Sequence, residues 1–378
     1  MMMRETMPLY KFIVEDIKEK IGSGQLKDGD AIPTQIELAK LYETSEITSR
    51  RALSELVNEG LVVRIRGKGT FIQLRDPHNT DPSEGGKIAL EQIVLIHPSA
   101  SPHLFNHPFY ANFISGIHAA CEEHDIRFQL LDVSESDGIE SNPLVGAIVL
   151  PGAPGAQNIM ISQLKAWKEA DLRMVLAHFY FPQLQIPYVI VDNLTGGYLA
   201  TEHLIALGHK RIGIIVTGHS LMDINQEFSL RLQGYKLALS QHGIAFDESL
   251  VSVMEANEEL EEMGYEGAKQ LLALENKPTA IFATSDYKAF GAIRAGKELG
   301  LRIPDELSIV GYDDVIQSRY TSPALTTVNQ NTERMGKRAV ELLLKPWSEK
   351  AIEESFVKEE IVPKLLVRSS TAHYSATL

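Results

Sequence analysis

Residues 45–73, SEITSRRALSELVNEGLVVRIRGKGTFIQ, hold two periodicities back to back. From Ser45 to Gly60 the spacing is helical. Ser49, Ala52, Leu53 and Leu56 fall on one face, Glu46, Ile47, Arg50, Arg51 and Ser54 on the other, and Gly60 follows the end. From Leu61 onward two short apolar runs flank Gly67-Lys68-Gly69, which reads as strand, glycine turn, strand. Arg64, Arg66 and Lys68 place three cations around that turn.

The preceding residues supply two more helices. Leu9, Ile13, Ile17 and Ile21 recur every fourth position beside Phe12, and Gly22-Ser23-Gly24 stops that stripe. In PTQIELAKLY, Thr34 and Glu37 have capping-box spacing. Three helices and a hairpin describe a small α+β winged helix-turn-helix domain over residues 1–75. Residues 76–90, DPHNTDPSEGGKIAL, have the prolines, glycines and polar groups of a linker.

Charge separates the same two regions. Residues 1–75 carry a net +1 and residues 76–378 a net −15, within a chain total of −14. Residues 61–75 hold four basic and no acidic side chains. Because a partner responds to the field within about 8–10 Å, an acidic total leaves room for a polyanion at this end. The acidic remainder is expected to face away from it.

An α-helix fits the major groove, where Arg50 or Arg51 can pair with guanine. Ser45, Thr48 and the free N–H groups at the helix start suit phosphate. A glycine-tipped wing carrying Arg66 and Lys68 is narrow and positive enough for a minor groove.

Residues 91–378 alternate apolar runs (QIVLIHP, FQLLDV, VGAIVLP, RMVLAH, YVIVD, RIGIIV, TAIFA, LSIVGY) with helical stretches. Continuous apolar strands separated by helices predict parallel sheets covered on both faces, an α/β doubly wound architecture. Nearly 290 residues exceed one core, so two lobes with a cleft are expected.

The N-terminal region, from LYKFIVEDIKEK to RIRGKGTFI, resembles the DNA-binding domain of GntR-type transcription regulators. The resemblance implies a dimer on operator DNA, with contacts at Gln35, Ser45, Glu46, Thr48, Arg50, Gly67 and Lys68. Two departures alter the expected readout: Gln35 replaces a usual glutamate, and Glu46 a usual arginine.

The stretches DNLTGGYLATEHLIALGHKRIGII, RLQGYKLAL, TSDYKAFGAIRAGKELGLRIPDELSIVGYDD and ALTTVNQNTERMG resemble the effector domain of LacI/GalR-type repressors. That implies a two-lobed periplasmic-binding-protein-like fold, a small effector between the lobes, and dimerisation through this domain. The combination of head and body is similar to arabinose-repressor-like regulators, which implies a repressor of carbohydrate-utilisation genes and a sugar effector such as arabinose or a related pentose.

By position the effector contacts are Phe109, Tyr110, Arg231, Ser285 (where the family usually has Asn) and Asp313, with Gln330 a further candidate. Chemistry agrees with this set, because sugars take carboxylate, guanidinium and amide partners for hydroxyls and an aromatic ring for a C–H face. Asp286 reads as the N-cap of the helix that follows it, and Asp314 as a residue that fixes its loop.

Other chemistry finds little support. Five histidines, His97, His103, His107, His118 and His124, fall close together, but their spacing forms no tight ligand pair, so no metal site is expected. The strands lack nucleotide-binding loops and a nucleophile elbow, so neither a cofactor nor an enzyme is expected. Cys121 reads as a small core residue. No apolar run reaches the roughly 20 residues of a membrane span, and MMMRETMPLYKF lacks the apolar core of a secretory signal, so a cytoplasmic protein is expected.

Overall fold

Ile13, Val14, Ile17, Leu38, Ala52, Leu53 and Leu56 meet in one small core, and that core organises the N-terminal head. The computed structural model describes residues 9–27, 29–58, 61–65, 69–72, 90–98, 108–152, 159–255, 260–345 and 357–374. The wing tip, residues 66–68, and the linker as far as residue 89 lie outside them.

The head runs α1 (Leu9–Gly22), β1 (Ala31–Ile32), α2 (Gln35–Leu41), α3 (Glu46–Asn58), β2 (Val62–Ile65) and β3 (Gly69–Ile72). Strands pair antiparallel in the order β1-β3-β2. The capping box forms: Thr34 Oγ1 accepts from Glu37 N at 3.3 Å and Glu37 Oε2 accepts from Thr34 N at 2.8 Å. In α1 the fourfold stripe is only half right. Each four-residue step overshoots a turn by about 40°, so Leu9 drifts into solvent and Val14 takes a core place.

The first lobe of the body is built from β4 (Gln92–His97), α4 (Pro108–Glu123), β5 (Arg127–Asp132), β6 (Val145–Val149), α5 (Ile161–Glu169), β7 (Met174–Ala177) and β8 (Tyr188–Val191). The second contains α6 (Asn193–Ala206), β9 (Ile212–Ser220), β10 (Asp223–Ile224), α7 (Gln226–Gln241), β11 (Val251–Met254), α8 (Glu261–Leu272), β12 (Ala280–Ala283), α9 (Asp286–Glu298), β13 (Ser308–Asp313) and β14 (Thr326–Asn329). The chain then returns to the first lobe with α10 (Thr332–Leu344) and β15 (Lys358–Ile361), and crosses again to end the second sheet with β16 (Lys364–Leu366).

Lobe one is a parallel sheet of order β15-β8-β7-β6-β4-β5, with apolar clusters on both faces. In lobe two β9, β11, β12, β13 and β14 are parallel, and the edge strands β10 and β16 run antiparallel. It too is covered on both faces. The continuous apolar runs are therefore strands buried on both sides, the doubly wound architecture expected.

Three crossovers join the lobes: residue 192 between β8 and α6, residues 330–331 between β14 and α10, and residues 362–363 between β15 and β16. The first and third lie together, because β8 pairs with β15 and Asp192 N donates to Ile361 O at 2.9 Å. α6 and α7 pack at Gly197 and Gly234, where each backbone touches the other. That close approach sets the position of Arg231 on α7. Among the described residues no helix is long and apolar enough to cross a membrane.

Candidate functional site

Ligands of open α/β sheets bind beyond the carboxyl ends of strands. In lobe two those ends bring Arg231, Asp313, Gln330 and Ser285 into one neighbourhood. Arg231 is only 3% exposed. Its Nε donates to Asn193 Oδ1 at 2.9 Å, its Nη1 donates to Thr284 O, and Asp313 Oδ1 lies 4.0 Å from Nη1. The guanidinium also stacks 3.7 Å from the centre of the Tyr312 ring, whose hydroxyl donates to the same Asn193 oxygen. A buried cation requires such partners, and here they fix the plane of the fork.

Gln330 Nε2 donates to Asp313 Oδ1 at 2.5 Å, while Gln330 Oε1 is buried without a hydrogen-bond partner among the described residues. Asp313 and Asp314 both have positive φ, 119° and 56°. For residues bearing a Cβ this is strained backbone, held here by the loops around it. Asp314 fixes its loop as expected: it is held by Arg368 and Asn329, with Arg319 3.7 Å away.

Asp286 is not the N-cap. Ser285 caps α9, accepting from Lys288 N at 3.3 Å. The Asp286 carboxylate is instead fully buried and receives Val315 N, Ser318 Oγ and Thr327 Oγ1. Burial, with Asp313 nearby, holds its pKa above the usual carboxylate range. A helix-start aspartate has two choices, its own helix or the neighbouring strand ends, and packing chose the second.

Phe109 and Tyr110 come from lobe one. Both are buried in the first turn of α4, with their rings 5.0 Å apart and the Phe109 ring 4.4 Å from His178 at the end of β7. They stand apart from the lobe-two group, on the other bank of the cleft. A clasp links the banks: Gln226 Oε1 accepts from Tyr180 N at 3.2 Å, and Gln226 Nε2 donates to Tyr180 O at 3.1 Å. Of the five histidines, His103 and His107 lie outside the described residues.

In the head, Glu46 is exposed and Gln35 half-buried. Ser45 and Thr48 satisfy one another: Thr48 N donates to Ser45 Oγ at 3.1 Å, and their hydroxyls are 2.8 Å apart. Arg51 stacks 3.6 Å from the Tyr10 ring centre, its Nε buried without a partner among the described residues. Arg66, Gly67 and Lys68 lie outside the described residues.

The expected outer face of α3 needs correcting, because apart from the exposed Glu46 it does not look freely into solvent. Ser54 is buried, and Ile47 packs on Tyr198 and Ala238 of the body. Arg50 reaches the crossovers, with Nη2 2.9 Å from Glu360 Oε2 and Nε 3.6 Å from Asp192 Oδ2. The acidic body holds this cation through two of its carboxylates. Two carboxylates share the one guanidinium. Burial leaves the Asp192 pKa raised, whereas for Glu360 burial is outweighed by Arg50 and Lys358, which lower it.

Asn193, Tyr312 and Lys288 take part in the cleft without having been singled out from the sequence. Lys288 is completely buried, its Nζ 3.4 Å from Ser285 Oγ and 4.1 Å from the centre of the Phe228 ring. Its signal was visible: a lysine three positions after Ser285, directly before the apolar helical run AFGAI. Tyr312 adjoins the strand-end Asp313, which drew the attention instead, and Asn193 follows Asp192 at the end of β8.

Residues 9–72 match the family model for bacterial regulatory proteins of the gntR family, and residues 201–371 match that for a periplasmic binding protein-like domain. The arabinose metabolism transcriptional repressor of Geobacillus stearothermophilus is 29% identical over 382 residues, covering 98% of this chain and 99% of the relative. The ribose operon repressor of Haemophilus influenzae is 34% identical over 243 residues, 63% of this chain and 70% of its own. Among solved structures, the transcriptional regulator CelR in complex with cellobiose matches with a TM-score of 0.61 at 26% identity, covering 90% of this chain and 100% of that one.

Proposed function

The chain belongs to the bacterial transcriptional repressors, with a GntR-type winged head on a LacI-type periplasmic-binding-protein-like body, and we propose that it represses carbohydrate-utilisation genes under the control of a sugar held between its lobes. It acts as a homodimer joined through the body. Its two recognition helices reach half-sites one helical turn, or a multiple of one, apart on a roughly palindromic operator.

The observation that carries the effector reading is the Arg231–Asp313–Gln330 group. A fork donor and a carboxylate lie 4.0 Å apart, beside an amide oxygen that lacks a partner among the described residues. An unsatisfied buried acceptor costs about 1–3 kcal/mol, and a hydroxyl of the effector would satisfy it. Vicinal hydroxyls suit the pair, since each can donate to Asp313 or Gln330 and accept from Arg231. Phe109 and Tyr110 offer aromatic surface from the facing bank. Arabinose or a related pentose fits this description, in keeping with the name of the Geobacillus relative. The reading includes no chemical step: the effector binds and leaves unchanged.

Occupancy draws the lobes together and disfavours the head arrangement that spans two half-sites. Operator must then weaken effector by the same factor as effector weakens operator, typically about 5- to 150-fold.

Thermal denaturation across a panel of pentoses, hexoses and disaccharides, followed by retardation of a duplex selected from a random pool, tests the proposal. A sugar that raises the midpoint should release the duplex. A sugar that raises it without changing retardation would refute the coupling, and consumption of the sugar would refute the absence of chemistry.

A further inference from the structure

Arg50 stands at the point where the two lobes are joined. Its partners flank two crossovers: Asp192 leads from β8 into α6, and Glu360 sits in β15 just before the chain passes to β16. Parallel pairing of β8 with β15 sets Ile190 opposite Glu360 and Val191 opposite Ile361, so backbone register brings the two carboxylates together. The Asp192 side chain is 3% exposed, that of Glu360 12% and that of Arg50 23%. Beside them Ile47 is seated on Tyr198 and Ala238, with Leu194, Ile205 and Leu237 around it, while the Tyr198 hydroxyl donates to Gln241 Oε1 at 2.8 Å.

This contact is built to be left. Glu360 keeps Lys358 at 2.8 Å, and Asp192 keeps the Thr195 backbone and hydroxyl at 3.0 and 2.7 Å, so neither carboxylate is stranded when Arg50 departs. Nor is the seam fully packed. A cavity of about 760 Å³, lined in part by Tyr10, Ser45, Thr48, Tyr198 and Glu202, runs along the seam beside that contact.

Resting on the DNA-binding reading above, we propose that the inter-lobe hinge is a docking surface whose partner is the recognition helix of the same chain, so that operator and hinge compete for one face of α3. A guanidinium on Glu360 cannot also pair with a base edge, and an Ile47 buried on α6 and α7 cannot enter a groove. The docked head is the DNA-free state.

The surface is wired to the cleft. Asp192 is followed by Asn193, whose side-chain oxygen receives both Arg231 and Tyr312. An effector that draws Arg231 toward itself therefore acts on the residue adjoining the Arg50 partner. Hinge bending also moves β15 and α6, which carry the rest of the seat.

Glu360→Gln in the full-length chain tests this, with Tyr198→Leu as a second variant that leaves the charges in place and removes the ring under Ile47. Amide hydrogen exchange of residues 46–58 without DNA reads docking directly. Anisotropy of a labelled duplex, selected from a random pool on the wild-type chain, reads competition. If the docked state dominates at about nine to one, its loss raises apparent DNA affinity by up to about tenfold. Faster exchange and tighter DNA binding in Glu360→Gln, with a change of the same sign in Tyr198→Leu, are expected. Unchanged exchange in both variants would overturn docking, and faster exchange with unchanged DNA affinity would overturn competition. If no chain binds any duplex, the DNA reading falls, and exchange alone still decides whether the hinge holds the helix.

Discussion

A Cβ added to Gly197 would lie 2.1 Å from the carbonyl oxygen of Arg231. Gly197→Ala must therefore push α6 and α7 apart, at a cost of about 1–3 kcal/mol as for other overpacked sites. Because Asn193 rides on α6 and Arg231 on α7, effector affinity should fall as well. Denaturant unfolding and calorimetry with the effector check both effects; an unchanged midpoint would mean that the helices accommodate the methyl.

Arg231→Lys keeps the charge and loses the fork. Hydrogen bonds to charged groups are worth about 1.5–3 kcal/mol, so effector binding should weaken by at least tenfold while effector-free DNA binding persists. Isothermal titration separates the two. Retained affinity would remove Arg231 from the set of direct contacts.

Lys288→Met replaces a buried ammonium by a side chain of similar length. Burying an ammonium is costly and similar-volume swaps are mild, so the apo midpoint should hold or rise. The effector-induced rise in midpoint should shrink. A full ligand response in Lys288→Met would show that the ammonium serves the fold of α9 rather than the ligand.

Cys121 lies buried in α4, and burial pushes its pKa up to about 11. At pH 8 only about one thiol in a thousand is then ionised, and the thiolate is the reactive form. A chromogenic disulfide reagent should label the native chain far more slowly than the urea-unfolded chain. Equal rates would contradict the burial.

Lys68→Ala should weaken binding to every duplex and flatten the plot of log affinity against log salt by about one unit, the loss of one phosphate contact. An unchanged slope would take the wing off the backbone.

The fold was legible because both domains announce themselves locally. The capping box at Thr34 and Glu37 formed as its spacing required, and the apolar runs became two-sided strands. Arg231 and Asp313 were legible from motif alone and do lie within 4.0 Å of one another. What escaped was tertiary. That Asp286 would turn to Ser318 and Thr327 depends on where β14 lands, 41 residues later in the case of Thr327. That Arg50 would meet Glu360, 310 residues on, depends on the register of β15 against β8. No window of sequence contains such a pair. Periodicity sorts α3 into two faces, but it cannot say whether the polar face meets water or another domain.

The route of the backbone through the crossovers also constrains how the protein is made. The edge strand β15 and the covering helix α10 of lobe one come from residues 332–361, after all but one of the strands of lobe two. A nascent chain on the ribosome can thus wind and close the head once residue 72 has emerged. It must then hold the earlier strands of lobe one open-edged until residue 361 has emerged. Such delayed, long-range closure is slow and leaves apolar edges exposed. The early head and the late lobe imply that truncated translation products would retain a folded nucleic-acid-binding head on an unfinished, aggregation-prone body.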